Sequence, residues 1–516
     1  MIKRFSTFIF AFITALCAMA QTGMPYDYQE VALGKCADGS DLKCRYIPAE
    51  GKLKRFTITR EMPYMLIFDD GGARVLDKTT LKKIADLKLG SKDFVQINKD
   101  GYITCSDDVA FFSREGRPTF YNFKGEKVWS SKYGMTISDR YENVVVCEKK
   151  WGEYVAYDMS TGKELWQRTI ACSKHYPWAD MYIDQHDRKT YYLKGDKLVK
   201  LNILTGDTIC HSFSAGVKEP TKSRLSIVRR QMATSRDFQF EEASSSLIGN
   251  FILTGTHSNI IDTCNCLYVA DAKNLYCFDK NLKTLWQTAL PDGMGSKSNI
   301  RIEGSRVYLI NYGVAFQKET MGRCGKPFIA SYDKSTGEQR SLDKPEISKK
   351  VQGGIYVDGR AYWQTAKGFL YNDEGDSTIH EISWKPKTDM TPRLNYPDFV
   401  ICDTVGIVKD GMFIDVPTNK HQLVVEVYGR DVNVIQLDGT CELIPSNEVY
   451  FHDSGNVYST NNGSGRPNDF VIVDPTTRKV KYSFHNIGGV MHDKDGNIFV
   501  GIKQGVGVYN PTNIIE

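Results

Sequence analysis

The stretch Tyr154-Val155-Ala156-Tyr157-Asp158-Met159-Ser160-Thr161-Gly162-Lys163-Glu164-Leu165-Trp166 decides the fold, because it holds a strand, a tight turn and a second strand. Asp158 stands at the entry of the turn, where a carboxylate accepts hydrogen bonds from amides two or three residues further on. Gly162 supplies the positive φ that closes such a turn without Cβ strain. The segment therefore predicts a β-hairpin, and Trp166 is large enough to fill the gap between neighbouring sheets.

The same pattern recurs along the chain. Each copy keeps at least one of three structural residues: the acid or amide at the turn entry, the glycine and the tryptophan. In the first copy these are Asp158, Gly162 and Trp166, and in the others they are Asn122, Gly125, Trp129, Asp279, Trp286, Asp333 and Gly337. Weaker copies lie at 201–207, 434–439 and 471–478. A recurring unit that cannot bury its apolar face alone predicts a repeat architecture.

The spacing of these turns predicts a β-propeller. Asp158 to Asn202 and Asp333 to Asn372 are each separated by roughly 40 residues, the size of a four-stranded blade. A mature chain of about 500 residues then suits a single all-β propeller of seven or eight four-stranded blades, with eight favoured. No linker rich in Pro, Gly or Ser divides it.

The two ends of the chain are expected to meet. Residues 505–511 read as a strand and turn whose second strand is nearly missing. A propeller closes by pairing terminal strands, so 505–511 are predicted to share a blade with 56–59 or 64–68.

The N-terminus predicts export. Lys3 and Arg4 precede an apolar run over 8–16, and Ala18-Met19-Ala20 is a typical cleavage site. Residues 1–20 are thus interpreted as a signal peptide, 21–50 as an N-terminal extension and 51–516 as the propeller. Lipidation at Cys17 is the alternative processing. The expected location is the periplasm, the outer cell surface or the medium.

Two segments depart from the strand pattern. Residues 215–247 are polar and predict an insertion, whose arginines Arg224, Arg229, Arg230 and Arg236 form either a solvated loop or a docking site for a partner. Residues 79–89 place Leu81, Ile84, Ala85 and Leu89 on one helical face and predict a short helix.

Charge and cysteine content exclude some classes. A formal net charge of +4 over 516 residues gives no argument for binding nucleic acid, and no later apolar run is long enough to span a membrane. Among the 13 cysteines, Cys36 and Cys44 flank a short polar stretch and are predicted to form a local disulfide.

The repeat also resembles known families. Ala156-x-Asp158-x-x-Thr161-Gly162-x-x-x-Trp166 resembles the repeat of the pyrroloquinoline-quinone-like propellers, which include quinoprotein dehydrogenases and outer-membrane assembly propellers. Residues 492–501 and 505–511 look like the sensor propellers of two-component regulators. The quinoproteins typically carry an adjacent cysteine pair, whereas Cys264-Asn265-Cys266 is the nearest approach here.

No residue is nominated for catalysis, cofactor binding or metal binding. Asp493-Lys494-Asp495-Gly496-Asn497 resembles the opening of a calcium loop, but Ile502 stands where the closing Glu belongs, so a β-turn is favoured. The sequence therefore predicts a non-enzymatic exported propeller, without a cofactor, that acts as a binding or scaffold module for an unidentified protein or glycan at the cell envelope. The alternative is a quinoprotein-like oxidoreductase.

Overall fold

The computed structural model describes residues 29–58, 62–87, 89, 94–105, 117–133, 136–150, 153–170, 180–184, 187–214, 258–317, 320–349, 351–357, 359–365, 368–382, 399–401, 405–416, 422–427, 432–436, 441–444, 448–454, 456–460, 468–493 and 495–509. Every regular element in these ranges is a β-strand. No helix in this part of the chain is long and apolar enough to cross a bilayer. The predicted signal peptide and the insertion at 215–247 lie outside the described residues.

Two strands come first, β1 (Gln29–Cys36) and β2 (Asp41–Pro48). Seven antiparallel sheets of four consecutive strands follow in chain order. Sheet A contains β3 (Arg55–Ile58), β4 (Tyr64–Asp69), β5 (Gly72–Asp77) and β6 (Lys83–Leu87). Sheet B contains β7 (Phe94–Ile97), β8 (Gly101–Cys105), β9 (Thr119–Asn122) and β10 (Lys127–Ser130). Sheet C contains β11 (Thr136–Tyr141), β12 (Val144–Lys150), β13 (Glu153–Asp158) and β14 (Glu164–Thr169).

The next five sheets continue this order, except that a hairpin interrupts the last. Sheet D contains β15 (Asp180–Ile183), β16 (Thr190–Lys194), β17 (Lys197–Asn202) and β18 (Thr208–Ser212). Sheet E contains β19 (Ile261–Asp262), β20 (Cys266–Ala270), β21 (Asn274–Asp279) and β22 (Thr284–Ala289). Sheet F contains β23 (Ser298–Glu303), β24 (Arg306–Gln317), β25 (Thr320–Asp333) and β26 (Gln339–Asp343). Sheet G contains β27 (Val351–Val357), β28 (Arg360–Thr365), β29 (Gly368–Asp373) and β30 (His380–Ile382). Sheet H pairs β31 (Phe399–Ile401) with β34 (Gln422–Val427), β35 (Val432–Gln436) and β36 (Cys441–Ile444), and the hairpin of β32 (Val405–Lys409) and β33 (Met412–Val416) lies between β31 and β34 in sequence.

The remaining strands join the two termini in one eleven-stranded sheet. They are β37 (Val449–Ser454), β38 (Val457–Thr460), β39 (Asn468–Val473), β40 (Val480–Ile487), β41 (Gly489–His492), β42 (Ile498–Ile502) and β43 (Gly505–Tyr509). Along this sheet the order is β33-β32-β37-β38-β39-β40-β1-β2-β43-β42-β41. The N-terminal hairpin thus lies between two C-terminal groups of strands.

The predicted helix at 79–89 is wrong. Residues 83–87 form β6, and Leu81 has a φ of +58° in the turn before it. Asp77 initiates this turn by accepting hydrogen bonds from the amides of Thr79 and Thr80. The apolar spacing that resembles a helical face arises because the register skips Ile84, so Ala85 and Leu87 face the core and Ile84 is exposed.

Consecutive sheets pack face to face through apolar side chains. Each shared cluster draws buried residues from two sheets that follow one another: A and B (Phe68, Tyr102), B and C (Phe120, Cys147), C and D (Trp166, Leu193), D and E (Tyr192, Phe278), E and F (Ala270, Phe328), F and G (Ile310, Trp363). Since no described strand pairs one of these sheets to the next, hydrophobic burial joins them. This succession of small antiparallel sheets fits a β-propeller.

The ends of the chain lie in one sheet, but not through the strands that the sequence predicts. Residues 56–58 and 64–68 belong to β3 and β4, which pair with each other inside sheet A. β43 pairs instead with β2, with Arg45 opposite Val508 and Ile47 opposite Val506. Gly505 and Gly507 allow this approach, since a Cβ at Gly505 would lie 2.2 Å from the Ile47 carbonyl oxygen. The blade number and the domain boundary at residue 50 remain predictions.

Truncating the chain before β43 should prevent correct folding. Deletion of residues 503–516 removes the strand that lies between β2 and β42, and it leaves both edges open to other chains. We expect aggregated protein by size-exclusion chromatography. Deletion of 511–516 alone keeps β43 and is the control, and a monomeric 503–516 deletion that melts at the wild-type temperature would contradict the shared sheet.

Candidate functional site

The repeat acids organise the turns that bring adjacent sheets together. Asp158 Oδ1 accepts hydrogen bonds from the Thr161 amide at 2.8 Å and the Thr161 hydroxyl at 2.7 Å. Asp333 accepts in the same way from the amides of Ser335 and Thr336. Hydrogen bonds from the Thr336 amide, then from Arg340 and Ser335, hold the pKa of Asp333 below its ordinary value. The carboxylate thus fixes the turn in its charged form.

Each repeat tryptophan lies against the turn of the following sheet. The indole Nε1 of Trp129 donates to the Met159 carbonyl at 2.7 Å, that of Trp166 to the Ile203 carbonyl at 2.9 Å, and that of Trp286 to the Lys334 carbonyl at 3.2 Å. The acceptor in all three cases is the residue after the turn acid or amide. The tryptophans are packing residues, because their one polar atom is used inside the protein.

The turn glycine is required where a tryptophan lies over it. A Cβ on Gly162 would meet Trp129 at 2.6 Å, one on Gly206 would meet Trp166 at 2.6 Å, and one on Gly337 would meet Trp286 at 2.5 Å. These glycines have φ near +72°. Gly125 has a similar φ of +78° but has nothing within 4 Å of that position, and no tryptophan precedes it in sheet A. We call the contact surface between two consecutive sheets a seam. Across three of these seams, a tryptophan of one sheet and a turn glycine of the next form a matched pair.

In other seams the residue directly after the turn acid is a lysine that forms an ion pair with the neighbouring sheet. In sheet E this residue is Lys280, whose ammonium group lies 3.0 Å from Asp184 Oδ2 of sheet D and also binds Asp262. Tyr182 donates to Asp262 at 2.7 Å. Burial alone would lower the pKa of Lys280, but the hydrogen bonds and charges of Asp262 and Asp184 outweigh it and raise the pKa.

The turn after β41 makes the equivalent contact with sheet A. Lys78 follows Asp77, and its ammonium nitrogen lies 3.7 Å from Asp493 Oδ2, with both side chains at most 5% exposed. Asp493 accepts hydrogen bonds from the amides of Asp495 and Asn497, as the acid of a tight turn does.

A histidine on β18 packs into an aromatic group between sheets D and E. The ring centroid of His211 lies 4.7 Å from Phe278, 5.2 Å from Tyr276 and 5.8 Å from Phe213. Its Nε2 is buried without a hydrogen-bond partner. Burial lowers the pKa of His211, and the charge of nearby Asp271 opposes this only in part. The arrangement favours the neutral imidazole.

One hairpin is much longer than the others. β24 has 12 residues and β25 has 14, and they pair with each other as far as Gln317 and Thr320. Flanking β23 pairs with β24 only as far as Asn311, and β26 meets β25 only from Ile329 onward. The described end of the hairpin, residues 312–317 and 320–327, therefore extends beyond sheet F. This extension is not evident from the sequence, because a strand pattern does not reveal where pairing stops.

The hairpin extension is braced on both sides by the segments that enter and leave sheet F. Arg323 donates to the Ser348 carbonyl at 2.8 Å, and the Lys326 amide donates to the Met294 carbonyl at 3.3 Å. A Cβ on Gly325 would lie 2.2 Å from the Met294 carbonyl oxygen, so glycine permits this approach. An isolated two-stranded hairpin is marginally stable, and these contacts stabilise it.

The predicted disulfide is not formed. Cys36 and Cys44 are both free thiols, and Cys44 lies opposite Val31, whose carbonyl accepts its thiol hydrogen at 3.1 Å. Cys36 lies at the other end of the hairpin, where its amide bonds to the Ser40 carbonyl. Four residues along a strand span about 13 Å, whereas a disulfide needs Cα atoms within about 7 Å. Sequence proximity was misleading because both cysteines lie in paired strands.

Arg224, Arg229, Arg230 and Arg236 lie outside the described residues. Within the described ranges, no three His, Cys, Asp or Glu side chains come together in a way that could hold a metal ion.

Comparison with known proteins does not assign a family. No family model matches the chain, and no curated protein matches it. Among solved structures it is similar to BamB from Moraxella catarrhalis, at 12% identity over 82% of this chain and 97% of that one, with a TM-score of 0.32. It is also similar to the computationally designed Ika8 protein (12% identity, 73% and 96% of the two chains, TM-score 0.32) and to Saccharomyces cerevisiae Sqt1 (9%, 78% and 97%, TM-score 0.30). At these TM-scores the likenesses carry no argument about this protein.

Substituting alanine for Gly162 should destabilise the protein more than the same change at Gly125. Both variants put a Cβ on a residue with positive φ, which costs on the order of 1 kcal/mol. Only G162A also forces the Trp129 indole away, which adds about 1–3 kcal/mol. Urea unfolding of the two variants measures the difference, and equal losses of stability would show that the indole contact is not tight.

Acidification should weaken the folded state through His211. The folded pKa of this histidine is below its unfolded value of about 6.5, so the unfolded chain takes up the proton first as pH falls. The loss of folding free energy begins as pH falls through about 6.5 and is complete below the folded pKa. It should not exceed about 1 kcal/mol, because the ring is partly exposed to solvent, which screens the charge. Melting at pH 7.5 and 5.0 should show a smaller drop for H211F than for wild type. H485Q, which changes an exposed histidine, is the control; a drop in H211F as large as in wild type would contradict this role.

Proposed function

We propose that this protein is an exported, non-enzymatic β-propeller of the pyrroloquinoline-quinone-like repeat type that serves as a rigid binding scaffold for a protein or glycan at the cell envelope. The braced β24–β25 hairpin carries the proposal. Binding elements are commonly loops held on a rigid framework, and this hairpin is the longest pair of strands in the described chain.

Ring closure is part of the proposal. Phe56 and Met65 of sheet A share a cluster with Met491, Phe499 and Val506 of the last strands, just as other consecutive sheets share clusters. The Lys78–Asp493 pair repeats the Lys280–Asp184 pair at an equivalent turn position. β2 then completes the last blade as the strand next to β43. Closure would remove the mobility of an open array, so that the hairpin is presented in one orientation.

The repeat type is supported by the seams. Trp129, Trp166 and Trp286 each reach the next turn in the same way, which agrees with the Thr-Gly-x-x-x-Trp spacing that resembles the quinoprotein-like repeat. The last strand of sheet D, β18, has no tryptophan. The facing turn of sheet E, between β21 and β22, has no glycine, and Leu282 adopts the positive φ of +59° there. The repeat residues in these seams are therefore engaged in packing and in hydrogen bonds to the backbone, which supports a structural role for them.

Replacing residues 316–321 by Asn-Gly should abolish partner binding without changing stability. The exchange removes the tip of the hairpin, keeps the buried Val314 and the Arg323 contact to Ser348, and leaves the pairs of β24 with β23 and of β25 with β26 intact. Affinity capture from envelope extract, compared by mass spectrometry, should show species that wild type retains and this variant loses at an unchanged melting temperature.

A variant with Arg224, Arg229, Arg230 and Arg236 changed to Ser tests the other docking candidate and should still capture those species. Identical capture by wild type and the shortened hairpin would contradict the hairpin as a binding element. Dye reduction with an alcohol or aldose after loading with pyrroloquinoline quinone and Ca²⁺ would contradict a non-enzymatic function.

A further inference from the structure

The last strand of each of sheets A to H has an edge that no described strand covers, and most of these edges are protected. In β6, β10, β14, β22 and β26 the register skips one residue, which leaves Ile84, Val128, Leu165, Leu285 and Arg340 bulged. β30 and β36 are short and contain Glu381 and Glu442, and β40 is covered by β1. Bulges, charges and covering strands all discourage strands of other molecules from pairing with an edge.

β18 has none of these protections within the described chain. Its register with β17 runs from Ser212 to Thr208 without a shift, it has no charged residue and no proline, and it is the terminal strand of sheet D. Ile209 is 43% exposed and Cys210 is exposed. A regular, uncharged edge with an exposed isoleucine is a template for strand addition.

The backbone of β18 offers hydrogen-bonding groups at alternate residues. The Phe213 amide donates to the Asp196 carbonyl at 3.1 Å, and the Asp207 carbonyl accepts from the Asn202 amide at 2.9 Å, so the odd-numbered residues face β17. Because groups alternate along a strand, those of Thr208, Cys210 and Ser212 point to the open edge. Cys210 is the central residue of this set.

We propose that β18 pairs antiparallel with β18 of a second copy about a two-fold axis at Cys210, and that a disulfide between the two Cys210 residues locks the pair. The symmetric register places Thr208 opposite Ser212, Ile209 opposite His211 and Cys210 opposite itself, with no charge facing a like charge. Directly opposed residues that exchange backbone hydrogen bonds in an antiparallel pair have Cα atoms about 5.5 Å apart. This separation lies within the range of about 4.4–6.8 Å that is usual for disulfides.

The strand edge is too small to hold a stable dimer without the disulfide. A single short strand edge buries far less than the roughly 1,200 Å² of a stable interface, so strand pairing alone gives only a transient dimer. Two thiols lose two protons and two electrons to form the disulfide, and a small-molecule disulfide such as oxidised glutathione accepts them and becomes two thiols. An exported chain would meet such an oxidising environment.

The test uses the purified protein in oxidised glutathione, followed by non-reducing gel electrophoresis and light scattering. Wild type should become a dimer that a reductant returns to monomer. C210S should remain monomeric, whereas C264S, which removes the other exposed described cysteine, should dimerise like wild type.

S212P separates strand pairing from random oxidation. Proline at 212 removes an outward amide and leaves the Phe213 bond to β17 in place, so dimerisation should slow severalfold although Cys210 remains. A monomeric wild type with glutathione attached to Cys210, a dimer that persists in C210S, or an S212P variant that dimerises as fast as wild type would each overturn the proposal.

Discussion

The contact on which the described structure most depends is the indole of one sheet lying on the turn glycine of the next. Hydrogen bonds hold each sheet together internally, but no described strand links sheets A to G to one another. Their mutual orientation therefore comes from side-chain packing, and Trp129, Trp166 and Trp286 add direction to it. A hydrophobic contact alone tolerates sliding, whereas an Nε1 donor fixed on one carbonyl does not.

Sequence reasoning succeeded where the signal is local. The turn of the β13–β14 hairpin is encoded within a few residues, because the turn bonds of Asp158 join it to neighbours only three to five positions away. The prediction of strands throughout also follows from local alternation. The size and apolar surface of the tryptophan made the seam foreseeable, although its partner carbonyl was not.

It failed where the structure depends on register between distant segments. Residues 79–89 fit a helical face because a bulge at Ile84 shifts the period of β6, and bulges leave no clear mark in sequence. Cys36 and Cys44 are near each other in sequence and far apart in the hairpin. The partner of β43 was misassigned since β2, β3 and β4 all contain apolar residues that suit a strand, and only the packing of whole sheets decides among them.

The position of the N-terminal hairpin has a consequence for how the chain folds. β1 and β2 precede every other described strand, yet their partners β40 and β43 lie near the other end of the chain, and the Tyr509 hydroxyl donates to the Leu42 carbonyl across 467 positions of sequence. Contacts of such long separation slow folding, because the entropy of closing the loop is lost before the contacts form. The hairpin of β1 and β2 must therefore wait for nearly the whole chain before its two outer edges are paired, and during that time these edges are what a chaperone would have to protect.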